Sequence, residues 1–298
     1  MEKDMSKMNN FIKNIIVLLK TTFDDYKQNK KHLKFYTTDS KEKQFATLRM
    51  FCHMMDKALN NPLFEPGHSQ EIYNEALKIS EKIKDYYFND PSFIWTQNIL
   101  KNFNEIQKKK EVVKKNNKTV VYTDNEKTLI KKFILSRTSC RNFQKKYISE
   151  DIIKDIISLA IDAPNGCCRQ AVRFYITQKA SKITNLIPNI AGITNFTNIQ
   201  GLVAVCAESS FYSLKDKKLQ YVDASLSSEN FILAASMHGV YGTMCNFFHA
   251  SPKQINNCKK ILSIKDSENI VMFIAIGYPI NIPQKPTRQD ISVFYKDV

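Results

Sequence analysis

The stretch Ser136-Arg137-Thr138-Ser139-Cys140-Arg141-Asn142-Phe143 places two arginines and a serine within five positions, directly after an amphipathic segment. A guanidinium is a planar fork of donors that stays charged at any working pH. Arg-x-Ser-x-Arg can therefore hold a phosphate and keep a second cation for another anionic group. Basic residues at a helix end also serve its last carbonyls or face water, and the spacing alone does not separate these uses.

The features that follow give the stretch its meaning. Ala163-Pro164-Asn165-Gly166-Cys167-Cys168-Arg169-Gln170 comes next, then Val172-Arg173-Phe174-Tyr175-Ile176. Asp223 precedes an apolar helical run, Gly277-Tyr278-Pro279 ends an apolar strand, and Arg288 follows Pro286. In this order the motifs resemble the FMN-dependent nitroreductase family, which opens with Arg-x-Ser-x-Arg-x-Phe, continues with Ala-Pro-Ser-x-x-Asn-x-Gln-Pro and closes with Gly-Tyr-Pro and a late basic residue. The resemblance covers roughly residues 126–298. It implies an α+β fold, a three-layer sandwich with a central mixed sheet flanked by helices, here preceded by an all-helical N-terminal region.

At 298 residues with 43% hydrophobic content, the chain can bury a substantial core without covalent staples. Its seven cysteines are odd in number, and none is paired at the two-residue gap of a zinc or thioredoxin-type site. No metal is expected, and reduced thiols in a cytoplasmic protein are. The apolar segment 11–19 is short, is interrupted by Lys13 and Asn14, and lacks a small-residue cleavage site. It reads as an amphipathic helix rather than a signal peptide or a span of ~20 residues. No membrane association is expected.

The net charge of +15 is spread along the chain, +6 over residues 1–125 and +9 over residues 126–298. Its densest runs, Lys108-Lys109-Lys110 and Lys114-Lys115, lie in a polar Asn- and Lys-rich stretch that reads as a solvated connector. No zinc finger, basic zipper or RNA-reading aromatic motif accompanies it, so no nucleic-acid partner is expected. Attraction of anionic cofactors is the simpler use of the charge.

The pattern divides the chain into a helical N-terminal region (1–110), a polar linker (111–125) and an FMN-binding domain (126–298). Apolar residues at three- and four-residue spacing predict helices over 10–26, 41–59, 69–88 and 91–110, with a break at Pro66-Gly67. Beyond the linker, helices are expected over 126–135, 149–161, 224–238 and 252–262, and strands over 172–177, 202–207 and 270–277. The strands' continuous apolar character predicts burial on both faces. Ser149 and Ser251-Pro252 read as N-caps. Arg49 and His53, four apart on one helical face, can form a polar site, or His53 can be a core or salt-bridging histidine.

The resemblance also implies roles. Arg137, Ser139 and the late Arg288 fall where the family holds the FMN phosphate, and Thr138 between the first two is counted with the cofactor-binding residues. Arg141 falls at the pyrimidine edge of the flavin, where a fixed cation favours the reduced, negatively charged ring and so contributes to catalysis. The segment Gly239-Val240-Tyr241-Gly242-Thr243-Met244-Cys245-Asn246-Phe247 aligns with a family loop whose backbone amides face flavin N5, with Cys245 and Asn246 expected nearest the ring; Gly242 can equally be a turn glycine. Cys167, Cys168 and Gln170 lie in the flavin-side loop. That loop departs from the pattern at Asn165 (usually Ser), Cys168 (usually Asn) and Ala171 (usually Pro). The adjacent thiols are badly placed for an unstrained disulfide and read as buried space-fillers.

The function implied is an FMN-dependent oxidoreductase, nitroreductase-like, passing hydride from NAD(P)H through flavin N5 to a small organic acceptor by a ping-pong mechanism. The implied assembly is a homodimer that builds each site from both chains, with the run Phe231-Ile232-Leu233-Ala234-Ala235 enclosed by sheet on one side and the partner on the other. A specialised flavin dehydrogenase of a biosynthetic pathway, and a flavin-binding or helical adaptor protein without turnover, remain alternatives.

Overall fold

A computed structural model describes residues 2–37, 39–61, 69–109 and 119–297. The Pro66-Gly67 break and residues 110–118 of the connector lie outside these. Four helices come first: α1 Glu2–Thr37, α2 Lys41–Leu59, α3 Gln70–Tyr87 and α4 Pro91–Lys109. Helix α1 runs well beyond the expected 10–26, because no proline or glycine interrupts residues 2–37. Ser40 caps α2 by accepting a hydrogen bond from the Lys43 amide. Helices α2 to α4 share an apolar core that includes Leu48, Cys52, Met55, Ile83, Phe93 and Phe103.

The remainder follows the order α5 Asp124–Ser136, α6 Glu150–Ala160, β1 Val172–Thr177, α7 Ala180–Leu186, β2 Gly201–Glu208, α8 Leu219–Met237, β3 Tyr241–Asn246, α9 Pro252–Leu262, β4 Glu268–Gly277 and α10 Ile291–Phe294. Ser149 Oγ accepts from the Ile152 amide, and Ser251 forms a reciprocal box with Gln254, so both expected caps are present. Strand β3 and helix α7 had no counterpart in the pattern reading. The segment 239–247, expected as a loop, is mostly strand: Gly239 takes the turn with φ +68°, and Gly242 lies within β3, where an added Cβ would come 3.1 Å from the Ala275 carbonyl oxygen.

The sheet order is β1-β2-β4-β3, and every neighbouring pair is antiparallel. This corrects the expected mixed sheet. Strands β2 and β3, joined through α8, do run parallel, but β4 inserts between them antiparallel to both. Parallel pairing among the described residues is confined to the single bridge Asn142–Thr197.

Three layers result. Side chains of β2 alternate: Val203, Val205 and Ala207 join α6 and α8, whereas Leu202, Ala204 and Cys206 join α7 and α9. All eight β2 residues are buried, as its apolar run predicts. Helix α8 turns one side to this chain's own core, while Val222, Leu226, Glu229 and Met237 on its other side are exposed. Phe231, Ile232, Ala234 and Ala235 pack with Ile153 and Ile156 of α6 and with the sheet, and the Phe231 ring stacks on Phe174 of β1 at 5.4 Å. Helix α6 of the same chain thus shares the core that buries Phe231, Ile232, Ala234 and Ala235, and Leu233 between them is half-buried. No helix among the described residues is long and apolar enough to cross a membrane.

Candidate functional site

Helix α5 starts at a capping box, Thr123 with Glu126, and ends at Ser136, after which Arg137 turns the chain into extended backbone (φ −60°, ψ 125°). An extended segment alternates its side chains. Thr138 and Cys140 are buried, whereas Arg137, Ser139 and Arg141 point the other way, half-buried or exposed. The i, i+2, i+4 spacing thus gathers two guanidiniums and a hydroxyl on one face.

This face is held from behind. Thr243 Oγ1 of β3 donates to the Cys140 carbonyl at 2.7 Å, the Thr197 amide donates to the Arg141 carbonyl at 3.0 Å, and the Phe143 amide donates back to Thr197 at 3.1 Å. The Ile280 amide then donates to the Asn142 carbonyl at 3.1 Å. Phe143 is fully buried over Gly277, where an added Cβ would lie 2.7 Å from the phenyl ring, so the Gly-Tyr-Pro glycine serves close packing rather than backbone freedom.

The charges on the face are not spent on protein carboxylates. Among the described residues neither Arg137, Arg141 nor Arg288 forms an ion pair. Glu150, the first acid after the segment, pairs with Lys154 at 2.8 Å. Arg141 lies 5.9 Å from the Phe196 ring centroid, at the outer limit of a cation–π contact. The exposed carbonyl at the end of α5 is served by Lys285, whose Nζ donates to Leu135 O at 3.0 Å. That contact brings the C-terminal stretch carrying Arg288 to the end of α5, two residues from Arg137. Arg288 itself donates to the Pro286 carbonyl at 3.3 Å.

Cys245 and Asn246 sit on β3 beside this segment. Cys245 is buried toward the α7/α9 layer and Asn246 is exposed, its Oδ1 accepting from the Phe248 amide at 2.9 Å. Strand alternation sends the two side chains to opposite faces. Burial pushes the Cys245 thiol up to about 11, against the pull of an Ala275 hydrogen bond and the Arg141 charge.

The second group of expected residues lies elsewhere. Among the described residues no hydrogen bond, ion pair or ring contact joins 137–141 to the loop carrying Cys167, Cys168 and Gln170. That loop has its own scaffold. Asn165 Oδ1 accepts from the Gln170 amide at 3.0 Å, so the residue that departs from the family serine closes the loop on itself. Asp223, fully buried in α8, accepts from the Gly166 amide at 2.8 Å and from the Tyr212 hydroxyl at 2.7 Å. Burial and that carboxylate push the Tyr212 hydroxyl far above its ordinary range. Arg169 pairs with Asp216 at 2.8 Å, and Arg173 Nη1 donates to the Gln170 carbonyl at 2.8 Å. Cys167 is exposed and Cys168 half-buried, so they are not buried space-fillers; both are free thiols. Neighbouring side chains and the backbone here are polar, and a thiol offers them only a weak partner.

Arg49 was singled out with His53, yet its partner is in this loop. It is buried, and its Nη2 donates to the Arg169 carbonyl at 2.9 Å while the guanidinium packs over Phe45 at 4.2 Å. Pattern reading missed Tyr212 and assigned Asp223 no role. The available signal was weak, because Asp223 is one of two acids in a helix that also carries Gln220, Asn230 and four serines.

Residues 134–210 match the sequence profile of the nitroreductase family. The chain is nitroreductase-like. A protein of Archaeoglobus fulgidus described as "Putative NADH dehydrogenase/NAD(P)H nitroreductase" is 25% identical over 150 residues, half of this chain and 84% of the relative. Crystal structures of proteins described in the same words, from Parabacteroides distasonis and Bacteroides thetaiotaomicron, each superpose with a TM-score of 0.51. They show 20% and 18% identity and cover 58% and 57% of this chain and 98% and 97% of theirs. At that identity they establish a shared fold. The matched residues 134–210 thus include Arg137, Ser139 and Arg141 as well as the loop carrying Cys167, Cys168 and Gln170, and residues ahead of them supply Arg49.

Proposed function

We propose that the protein is an FMN-dependent oxidoreductase, passing hydride from NAD(P)H through flavin N5 to a small organic acceptor by a ping-pong mechanism. The observation that carries this reading is the face formed by Arg137, Ser139 and Arg141, whose cations pair with no carboxylate among the described residues. A phosphate of charge near −2 wants several convergent donors, and this donor set fits it. Arg137 and Ser139 would bind the phosphate end through their side chains and Thr138, its side chain turned inward, through its backbone, joined by Arg288, whose approach is supported by the Lys285 contact.

When bound, FMN supplies the hydride-accepting and hydride-donating centre. The chain supplies position and field. Arg141, fixed through its carbonyl to Thr197, would hold positive charge at the pyrimidine edge, favouring the reduced ring over the oxidised one. The β3 residues Cys245 and Asn246 would line the N5 side through their backbone. No proton-transferring side chain is required, because the carriers stack in turn on one ring face.

The separation of Cys167, Cys168 and Gln170 from the arginine face supports a homodimer in which the loop of one chain completes the site of the other. Helix α5 supports it further. None of its residues is buried, and Leu129, Ile134 and Leu135 are more than half exposed. The deciding experiment is purification followed by a visible spectrum. A yellow protein with a flavin absorbance that NAD(P)H bleaches under anaerobic conditions is expected. Colourless protein that takes up no FMN on reconstitution would overturn the reading.

A further inference from the structure

Cys167, Cys168 and Gln170 all hold left-handed backbone, with φ of 54°, 55° and 52°. Residues with a Cβ adopt that region at a cost, and three within four positions require something outside the loop to hold them. Asn165 within the loop and Asp223 of α8 do part of this. The rest comes from ahead of the nitroreductase-like part. Arg49 of α2 holds the Arg169 carbonyl, and Gln170 Nε2 reaches Ser92 Oγ at 3.4 Å on α4. Arg49 does this at the expense of leaving its own Nε without a partner. A buried cation with an orphaned donor, committed to one carbonyl, fits a positioning role better than a stabilising one.

Helix α4 does more than brace the loop. Ser92 and Trp95 on one side and Ser158, Cys168, Gln170 and Arg173 on the other enclose a cleft of about 570 Å³. That lies within the range of small-molecule sites, roughly 300–1,000 Å³. Trp95 is the only tryptophan in the chain and is half-buried in this wall. The lining carries one cation, Arg173, and one acid, Asp162, and so sets no strong preference for a charged ligand. An indole wall with balanced charge suits a flat, uncharged, conjugated molecule of about two fused rings.

We infer that α4 forms the outer wall of a ligand cleft at the 165–170 loop, and that Trp95 determines specificity there for neutral planar ligands by stacking. On this account the helical N-terminal region is part of the binding apparatus rather than an appended module. The ligand's role as the hydride acceptor rests on the function proposed above; the cleft and its selectivity do not.

The test needs no turnover. Full-length protein without NAD(P)H is titrated with 1-nitronaphthalene, a neutral two-ring probe, following quenching of the single tryptophan and, in parallel, equilibrium dialysis. Saturable quenching is expected, with binding weakened about tenfold in Trp95→Ala by dialysis and largely kept in Trp95→Phe. Ser158→Phe, which fills the cleft from the α6 side, abolishes saturation while the far-ultraviolet circular dichroism is unchanged. Linear, non-saturating quenching, or equal binding by the wild type and Ser158→Phe, overturns the inference. Saturable binding to protein that takes up no FMN would leave the cleft standing and remove the flavin reading, whereas a flavoprotein with linear quenching would do the reverse.

Discussion

Thr243 Oγ1 donates to the backbone carbonyl of Cys140 across 2.7 Å, tying the edge strand of the sheet to the segment that carries Arg137, Ser139 and Arg141. The hydroxyl is buried, so removing it leaves the Cys140 carbonyl without this donor. Thr243→Val, close in shape, should cost about 1–3 kcal/mol in chemical unfolding. It should also weaken FMN binding, because the alternation of 137–141 loses its backing. Unchanged stability and unchanged FMN affinity together would show that the bond does not organise the site.

The phosphate grip is tested by affinity for two flavins. Arg137→Ala or Arg288→Ala removes a charged donor worth ~1.5–3 kcal/mol, and FMN affinity should drop ~10- to 100-fold. Riboflavin, which lacks the phosphate, should bind both variants as it binds the wild type. Equal losses for the two flavins in Arg137→Ala would contradict the assignment.

Arg141 has no carboxylate partner among the described residues, so it has little structural work to lose. Arg141→Met should leave the melting temperature nearly unchanged and lower the two-electron flavin potential by about 30 mV, the equivalent of ~1.4 kcal/mol of differential stabilisation. Spectroelectrochemistry with a thermal melt reads both. A lower melting temperature at constant potential would make Arg141 a structural residue.

The apolar surface of α5 predicts its own cover. Light scattering should give a particle of about twice 34.5 kDa. The double variant Leu129→Glu, Ile134→Glu should shift it toward monomer and release FMN as it does so. A wild-type monomer with FMN fully bound would exclude the two-chain site.

A pH dependence follows from Glu208 and Glu268, which face one another across β2 and β4 and are both buried. Glu208 is satisfied by the Ser210 amide and by the hydroxyls of Ser210 and Ser267, whereas Glu268 Oε2 has no partner. Burial raises the Glu268 carboxyl above its ordinary value; a hydrogen bond from Tyr175 pulls it back and the Glu208 charge raises it further. The folded state therefore keeps a proton that the unfolded chain releases. Its contribution to stability is present below the ordinary glutamate value and is lost as pH rises through the raised folded value, with a slope of at most about 1.4 kcal/mol per pH unit. Glu268→Gln should flatten that slope and leave the protein more stable than the wild type at neutral pH. A variant with the wild-type slope in urea titrations across the series would assign the dependence to other groups.

The local elements were legible because their signals are local. Apolar spacing delimits α2 and α9, the serines at 149 and 251 cap their helices, and the apolar run of β2 announces a strand buried on both faces. The Arg-x-Ser-x-Arg spacing goes further, since alternation in extended backbone puts three groups on one face wherever the segment lies. Strand β3 escaped because its residues were read through a resemblance to a loop, and because Gly242 looks like a turn residue until Ala275 is placed against it.

What tertiary structure alone decided are the relations between distant parts. Arg49 and Arg169 lie 120 positions apart, and no periodicity or charge pattern couples them; only the packing of α2 beside the loop does. Likewise β4, last in the chain of the four strands, inserts between β2 and β3 and turns an expected mixed sheet into an antiparallel one. The left-handed backbone at Cys167, Cys168 and Gln170 runs against local preference and exists because Asn165, Asp223 and Arg49 hold it. Sequence specifies short-range preference well, since each residue's preference acts on its own few neighbours. Contacts that close long loops depend on the sum of all the packing, and that sum is written only in the folded chain.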